Sequence, residues 1–455
     1  MASKRDLIEA HKYSRRRLVS AFVSGTPRGK EVESLPQGRP VVAGVVLSAL
    51  MVAAAALSGL LSPGLPDDWD QQGVVITEGS GERFLALDGT LYPVINTASA
   101  RLLLPSDSGF RVEVVPDEAV AAAPRGATIG IVGAPDDLPA PDQLQQSGWT
   151  ACLAPNGSTY LAIDPATRLE EDTESGVVLQ HDGGQVLVTG GVRYEIPAQA
   201  QPSVRRILGL DTVPAVAAPG TFVDLYTPGS VLQWPLETIP GLGEPLPAAI
   251  GGPGGAASVG QLVRNVDVGG ATSILTRTGA APITPFAAAL YSIQAPGGLG
   301  NAKDVTNADL SGVPNDTDPY APENWPSDLP RTTTEQPCAA LHTAGDQRAG
   351  TTLATVPPTH EMFAGRRVTV AAGSGALVRM SSTGTGTGPV FLVDQTATRF
   401  GVTVPSGEIL ARLGYPGVEP VRVPASWLAH LGDGPELDVD DARRAVSRGL
   451  TGADA

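Results

Sequence analysis

Two cysteines and five histidines are all that 455 residues carry of the usual zinc ligands, and no two histidines stand three to five residues apart. No H-E-x-x-H pair therefore exists to hold zinc beside a general base. No C-x-x-C spacing occurs, which excludes a thioredoxin-type redox motif and a Cys-based zinc site. The chain has no G-x-x-x-x-G-K-[ST] loop to cradle phosphates: Gly29-Lys30 is followed by Glu31, and Gly298 to Lys303 lacks the closing Gly-Lys-Ser/Thr. A G-x-S-x-G nucleophile elbow is missing as well. Aromatics are 5% and the net charge is −16, so outside its N-terminus the chain offers no basic surface to nucleic acid. No cofactor, no metal and no catalytic residue are expected. The lone His11, His181, His342, His360 and His430 read as surface or satisfied core residues. Asp67-Asp68, Glu170 to Asp172 and Asp438, Asp440 and Asp441 read as solvated loop charge, with calcium the alternative.

Charge is also missing from residues 41–61, a run of apolar and small side chains between Pro40 and Pro63. At ~1.5 Å per residue such a run spans a hydrocarbon core of roughly 30 Å, which predicts a single transmembrane helix. The forty residues before it hold nine Lys/Arg against Asp6, Glu9, Glu31 and Glu33, a net +5, leaving −21 for the remainder. The positive-inside rule then places the N-terminus in the cytoplasm and the rest outside, a single-pass protein of the cytoplasmic membrane with a periplasmic region. A cleaved signal peptide is the rival reading, but its apolar region runs about 7–15 residues and ends in an A-x-A-like site, which is not found here.

Gly and Pro together make 95 of the 455 residues, short of the roughly 25–30% that marks low complexity, so the exported part reads as folded and rich in turns. Both cysteines, Cys152 and Cys338, lie in it. An even count in an oxidising compartment reads as one disulfide closing a loop of 186 residues, the alternative being two buried thiols.

A hairpin followed by a short helix recurs four times. The hairpins are Phe84 to Val94, Val186 to Ile196, Ile274 to Ile283 and Phe391 to Val402, and Asp88-Gly89 and Gly190-Gly191 are two-residue turn signals. The helices are expected over Thr97 to Leu104, Ser203 to Leu208, Thr284 to Ser292 and Ser406 to Leu413, with Ser or Thr available as caps. A second helix is expected over Pro116 to Gly126, Pro219 to Gly229 and Pro424 to Gly434. Short strand-like runs, Thr128 to Val132, Tyr160 to Ile163, Arg367 to Val370 and Ala376 to Arg379, lie between the copies.

The predicted fold class is α+β and β-rich: a single N-terminal transmembrane helix, then an exported region with a central disulfide-stapled β-domain and four small αβ repeat lobes. The boundaries expected are 1–40 for a basic cytoplasmic arm, 41–61 for the anchor, 76–126 for repeat 1 and 127–172 for the first half of the central β-domain. There follow 173–240 for repeat 2, 241–258 for a flexible Gly/Pro linker, 259–330 for repeat 3, 331–385 for the second central half, 386–440 for repeat 4 and 441–455 for a tail. Thr383 to Gly388 would separate core from repeat 4.

Two stretches are candidate contact surfaces. In the arm, His11, Arg15, Arg16, Arg17, Leu18 and Phe22, with Leu7, fall near helical spacing, predicting an amphipathic helix that docks on partner proteins and is compatible with anionic lipid. In the anchor, Gly44, Ser48, Ala56 and Gly59 put small residues on roughly one face, the pattern of helix packing in lipid.

Asp6, His11, Arg16 to Gly25, Pro27 to Gly29, Glu31 to Pro40, the anchor, and Asp88 to Val94 running into Ala98 to Leu103 resemble the EccB family, and the resemblance extends through the repeats and both cysteines. It implies a subunit of the type VII (ESX) secretion complex in the actinobacterial inner membrane. Its partners would be an EccC-type FtsK/SpoIIIE ATPase, EccD, EccE and a mycosin protease, with self-association. It also implies a β-rich central domain with a disulfide and four repeats similar to a phage-lysin wall-binding fold, which makes peptidoglycan a further partner. The family is sometimes labelled an ATPase, a label this chain's motifs do not support.

Overall fold

The structure is a computed structural model that describes residues 3–25, 38–60, 65, 69, 73–106, 111–121, 123–256, 258–343, 350–381 and 388–446, the side chains of 24, 38–40 and 55–60 excepted. The arm's Pro27 and Pro36, Pro63 after the anchor, Thr383 to Thr387 and the tail from 447 lie outside the described residues. The chain divides into two units, residues 1–67 with 115–122, and residues 68–114 with 123–455.

In the first unit, α1 (Lys4–Ser24) opens on a capping box. The Ser3 side chain accepts from the Asp6 N–H, the Asp6 carboxylate accepts from the Ser3 N–H, and Gly25 closes the helix at φ 62°. The second helix, α2 (Gly38–Leu60), coincides with the apolar run. Among the described residues no helix is long and apolar enough to cross a membrane. Over 116–121 the chain makes turns, with the Ala119 N–H on Pro116 O at 3.0 Å, where the sequence predicts a helix. Pro124 supplies no N–H and disfavours helix before it.

Among the described residues, five sheets build the second unit. Lobe 1 holds β1 (Gly73–Thr77), β2 (Arg83–Leu87), β3 (Thr90–Pro93), α3 (Thr97–Leu103) and β4 (Val112–Val115), in the order β3-β2-β1-β4. The central sheet starts with β5 (Trp149–Leu153) and β6 (Thr159–Ile163). Lobe 2 follows with β7 (Ser175–His181), β8 (Gly184–Thr189), β9 (Val192–Ile196), α4 (Gln201–Ile207), β10 (Val216–Ala217), α5 (Gly220–Val223) and β11 (Thr227–Pro228). Lobe 3 has β12 (Leu262–Asn265), β13 (Ala271–Leu275), β14 (Ala280–Ile283), α6 (Pro285–Gln294) and β15 (Lys303–Val305). After β16 (Arg331–Thr332), which pairs with β7, the chain returns to the central sheet as β17 (Gln336–His342), β18 (Gly350–Val356) and β19 (Val368–Val370). Lobe 4 closes with β20 (Ala376–Ser381), β21 (Val390–Val393), β22 (Thr398–Val402), α7 (Ser406–Leu413), β23 (Val421–Pro424), α8 (Ala425–Leu428) and β24 (Gly432–Asp433), and then α9 (Val439–Arg443).

Each lobe is a three-stranded antiparallel meander and a helix, and in lobes 2, 3 and 4 the strand after the helix pairs parallel to the first. The first strands of lobes 1, 2 and 3 are absent from the sequence-based pattern, and that of lobe 4 is expected there as a strand of the central domain. Val74-Val75-Ile76 is a short apolar run that no two-residue turn signal marks off, whereas β7 is closed by Asp182-Gly183, with φ of 45° and 78°. This corrects one boundary: Ala376 to Arg379, expected in the central domain, pairs with β21 and belongs to lobe 4. Thr128 to Val132 is no strand of the central sheet. Ile129 makes isolated bridges to Val94 and Ala445, because its apolar side joins the core of lobe 1. Of the expected Ser/Thr caps, only Thr284 serves, accepting from the Ala287 N–H; α3 is capped by Asn96 instead. The expected linker 241–258 is not free chain. Its 3-10 turn Pro253–Gly255 packs on β15, where a Cβ on Gly254 would meet Val305 Cγ1 at 2.6 Å.

Central strands run in the order β18-β17-β5-β6-β19, so residues 186 apart in the chain become neighbours. Three apolar cores join the sheets in series. Lobes 1 and 4 share one, through Leu85, Leu102, Leu392 and Leu413. Lobe 4, the central sheet and lobe 2 share the second, through Trp427, Trp149 and Phe222. Lobes 2 and 3 share the third, through Trp234, Phe286 and Trp325.

Candidate interaction sites

The α1 arm is a surface without a cover of its own. Leu7, Leu18 and Phe22 are exposed, Phe22 to 94%. At 100° per residue, Leu7, His11, Arg15, Leu18 and Phe22 form one stripe along the helix, while Arg16 and Arg17 turn away from it. The arginine triplet is thus spread over three faces, with only Arg15 on the apolar one. In α2, Gly44 has open space around the position of a Cβ, and Ser48 Oγ donates to Val45 O at 3.0 Å, which satisfies the hydroxyl inside its own helix. Ala56 and Gly59 lie outside the residues whose side chains are described.

Cys152 and Cys338 stand directly opposite each other on β5 and β17 and form the disulfide. Both are fully buried, with Ala354 and Val356 around them and Met362 and Phe363 packed alongside. The bridge therefore ties the two chain-distant halves of one sheet at its middle strands.

The lobe 1 and lobe 4 contact carries a reciprocal arginine clamp. Arg101 on α3 donates to Leu413 O at the end of α7, at 2.8 Å, and Arg412 on α7 donates to Leu102 O and Leu104 O at the end of α3, at 3.1 Å each. Each guanidinium satisfies the free carbonyls at the other helix's C-terminus, where positive charge is favoured. Helix α9 adds a third tie: the Val446 N–H bonds Thr128 O at 2.8 Å and Ala442 is buried in the shared core.

One device repeats in three lobes and fails in the fourth. Tyr92, Tyr194 and Phe400 occupy the same position of the third strand, and Gly126, Gly229 and Gly434 lie beneath them, where a Cβ would come within 2.3–2.6 Å of the ring. Each glycine N–H bonds the residue before the aromatic, Leu91, Arg193 or Arg399. In lobe 3 the aromatic is Ala281 and the glycine is Asp316, whose N–H makes the equivalent bond to Ala280 O at 3.0 Å. A carboxylate fills the space a ring would take. It is 7% exposed and accepts from the hydroxyls of Thr276, Thr278 and Tyr320 at 2.5, 2.6 and 2.8 Å.

Burial alone would raise the Asp316 pKa, but those three hydroxyls and the Asp318 N–H outweigh it and hold the value at about 2, below the ordinary 3.8. A depressed folded-state value stabilises the fold above the unfolded pKa, and that stability is lost as pH falls from about 4 towards 2. Lobe 3 is accordingly expected to loosen first in acid, seen as early amide exchange in β13 and β14. Asp316→Asn should remove the pH dependence in that window and weaken lobe 3 already at neutral pH. Equal exchange rates in parent and variant at neutral pH, where the Asp316 contribution is fully present, would contradict this.

Of the other carboxylates named in the sequence, Asp67 and Asp68 lie outside the described residues. Asp438, expected as solvated charge, caps α9 by accepting from the Asp440 and Asp441 N–H groups, and Asp172 accepts from Glu174 and Ser175. His342 lies 3.2 Å from Glu171, His360 Nδ1 accepts from the Met362 N–H, and His430 Nε2 meets Thr221 O at 3.3 Å, joining lobes 4 and 2. Among the described residues no three His, Cys, Asp or Glu side chains gather into a metal site.

Compared with known proteins, residues 1–448 match the family model described as type VII secretion system ESX-1, transport TM domain B. The chain is 29% identical over 309 residues to the ESX-2 secretion system ATPase EccB2 of Mycobacterium tuberculosis, covering 63% of this chain and 58% of that protein. It is 30% identical over 224 residues to the ESX-1 secretion system ATPase EccB1 of Mycolicibacterium smegmatis, covering 46% and 44%. The chain therefore spans less than two thirds of these relatives. A chain of the intact ESX-5 inner membrane complex superimposes with a TM-score of 0.64 at 21% identity, over 100% of this chain and 98% of that one. A chain of the EccB3 dimer from the ESX-3 core complex gives 0.67 at 21% identity, over 82% and 100%. These two likenesses show a shared fold.

Proposed function

Because the chain belongs to the EccB family of type VII secretion, we propose that it is a structural subunit of an ESX complex in the cytoplasmic membrane. In this reading α2 crosses the bilayer once, α1 stays in the cytoplasm and the lobes stand in the periplasm. The charge difference of +5 against −21 across the apolar run supports that orientation. The segments expected from the sequence, with 376–381 moved to lobe 4, are the domains of this subunit.

The observation that carries the structural role is the unbroken series of cores from lobe 1 to lobe 3. Such a body transmits load and offers lobes as contact surfaces. Relatives carry the word ATPase in their names, but this chain has no P-loop, and we assign hydrolysis to an associated EccC-type ATPase. EccD, EccE, a mycosin protease and further copies of this chain complete the assembly. The α1 stripe with His11, Arg15, Leu18 and Phe22 is its cytoplasmic docking surface, with Arg16 and Arg17 facing lipid or a second partner, and Gly44 and Ser48 mark the packing face of α2.

The test is purification of the tagged chain from native membranes in mild detergent, with particle mass and co-purifying subunits identified. A multisubunit particle containing EccC, EccD and EccE homologues is expected. A lone monomer or dimer that instead sediments with isolated cell wall would replace this reading by peptidoglycan anchoring. ATP hydrolysis by the chain free of EccC would overturn the assignment of that activity.

A further inference from the structure

Lobes 2 and 4 each present the same sheet face to the central domain. The register places Leu179 and Val188 of lobe 2 at the same positions as Val378 and Val393 of lobe 4, and all four lie in the core built on Trp149 and Leu161. The equivalent residues in lobe 3 are Val263 and Leu275. They are as deeply buried, at 1% and 0% exposed, yet among the described residues no other sheet covers them. Their neighbours are Val305, Ala256, Leu246, Ala280 and Leu310.

Two of those neighbours, Leu246 and Ala256, come from the loop between 245 and 258, of which residue 257 lies outside the described residues. This segment begins and ends at one point, because Pro245 bridges Ser258, the Val259 N–H bonds Glu244 O at 2.8 Å, and Glu244 pairs with Arg277 at the base. It is a compact surface loop whose ends meet, an Ω-loop. Its glycines let backbone approach backbone: at Gly254, φ 56°, a Cβ would lie 2.7 Å from Asp304 O.

We propose that the Ω-loop 245–258 is a cap on a sheet-docking face, and that it makes lobe 3 an end of the series instead of a link. Stacked repeats bury each other's faces, so an end unit needs a cover that is not another repeat. In lobes 2 and 4 that face is taken by the central sheet, and in lobe 3 the loop takes the same place. The partner shut out is a second copy of this chain, which carries sheets of the kind this face packs against. The proposal does not depend on the secretion reading, since it concerns contacts within the exported region alone.

Two full-length variants in detergent test it. In one, residues 246–257 are replaced by Asn-Gly, a tight turn that the Pro245 and Ser258 bridge accommodates. In the other, Leu246→Asp and Ala256→Asp peel the loop without shortening it. Both are expected to at least double the particle mass of the parent and to raise binding of an apolar dye, with faster amide exchange in β12 and β13. Val263→Lys added to either should return the mass to the parental value. Unchanged mass in both variants, or a rise that Val263→Lys leaves in place, overturns the proposal. If the shortened chain does not form the Cys152–Cys338 bridge and so fails to fold, the double substitution decides alone.

Discussion

Trp427→Ala lowers the stability of the exported region by about 3–5 kcal/mol, the usual cost of emptying a large buried aromatic site. Trp427 is 0% exposed and meets Trp149 edge to face with centroids 6.5 Å apart. Its indole N–H donates to Thr351 Oγ1 at 3.1 Å, so the substitution also strands a buried hydroxyl. The loss falls at the joint between lobe 4 and the central sheet, and the two should then unfold separately. Trp427→Phe should cost much less, because lobe 2 makes the same joint with Phe222 at the matching position of α5. Urea unfolding followed by tryptophan fluorescence reads the effect, and Val404→Ala, at a site 89% exposed, is the control expected to change nothing. A Trp427→Ala protein with the parental midpoint would show that the joint does not depend on this core.

Replacing Cys152 and Cys338 together by Ala is the second large effect. The loop between them spans 186 residues, for which the chain-entropy relation gives about 5 kcal/mol and removals in general run 2–5. Ala fills each site without leaving a polar group, so the loss reflects the missing link more than a changed core. The central sheet should lose protection first, since β5 and β17 are its middle strands. Lobes 1 and 4, joined by their own core and the arginine clamp, should hold together to higher denaturant. Uniform unfolding of all five sheets at one midpoint would contradict that order.

The sequence showed the hairpins at β2-β3 and β8-β9 because their turns need positive φ, and Asp88, Gly89, Gly190 and Gly191 have it at 49°, 73°, 56° and 84°. The disulfide was open to reading because only two cysteines exist, although their direct opposition on neighbouring strands was not. The aromatic-over-glycine pairs escaped notice because their members lie 34 or 35 residues apart and neither belongs to a motif. Nothing in the sequence singles out Asp316, and only the position of Ala281 in β14 reveals the space its carboxylate fills. The cap loop was misread for a physical reason: Gly251 to Gly255 has a linker's composition, but here glycine serves close backbone approach.

The cross-strand bridge also changes what a broken backbone means in this molecule. Residues 152–338 form a closed covalent ring that contains lobes 2 and 3 whole. A protease that nicks any loop in that ring releases nothing, because both new ends stay tethered through the sulfurs and the flanking cores. A nick in lobe 1 or lobe 4 opens a linear part of the chain instead, where only noncovalent packing retains the fragment. Damage in the middle lobes thus stays mechanically silent until the bridge is reduced.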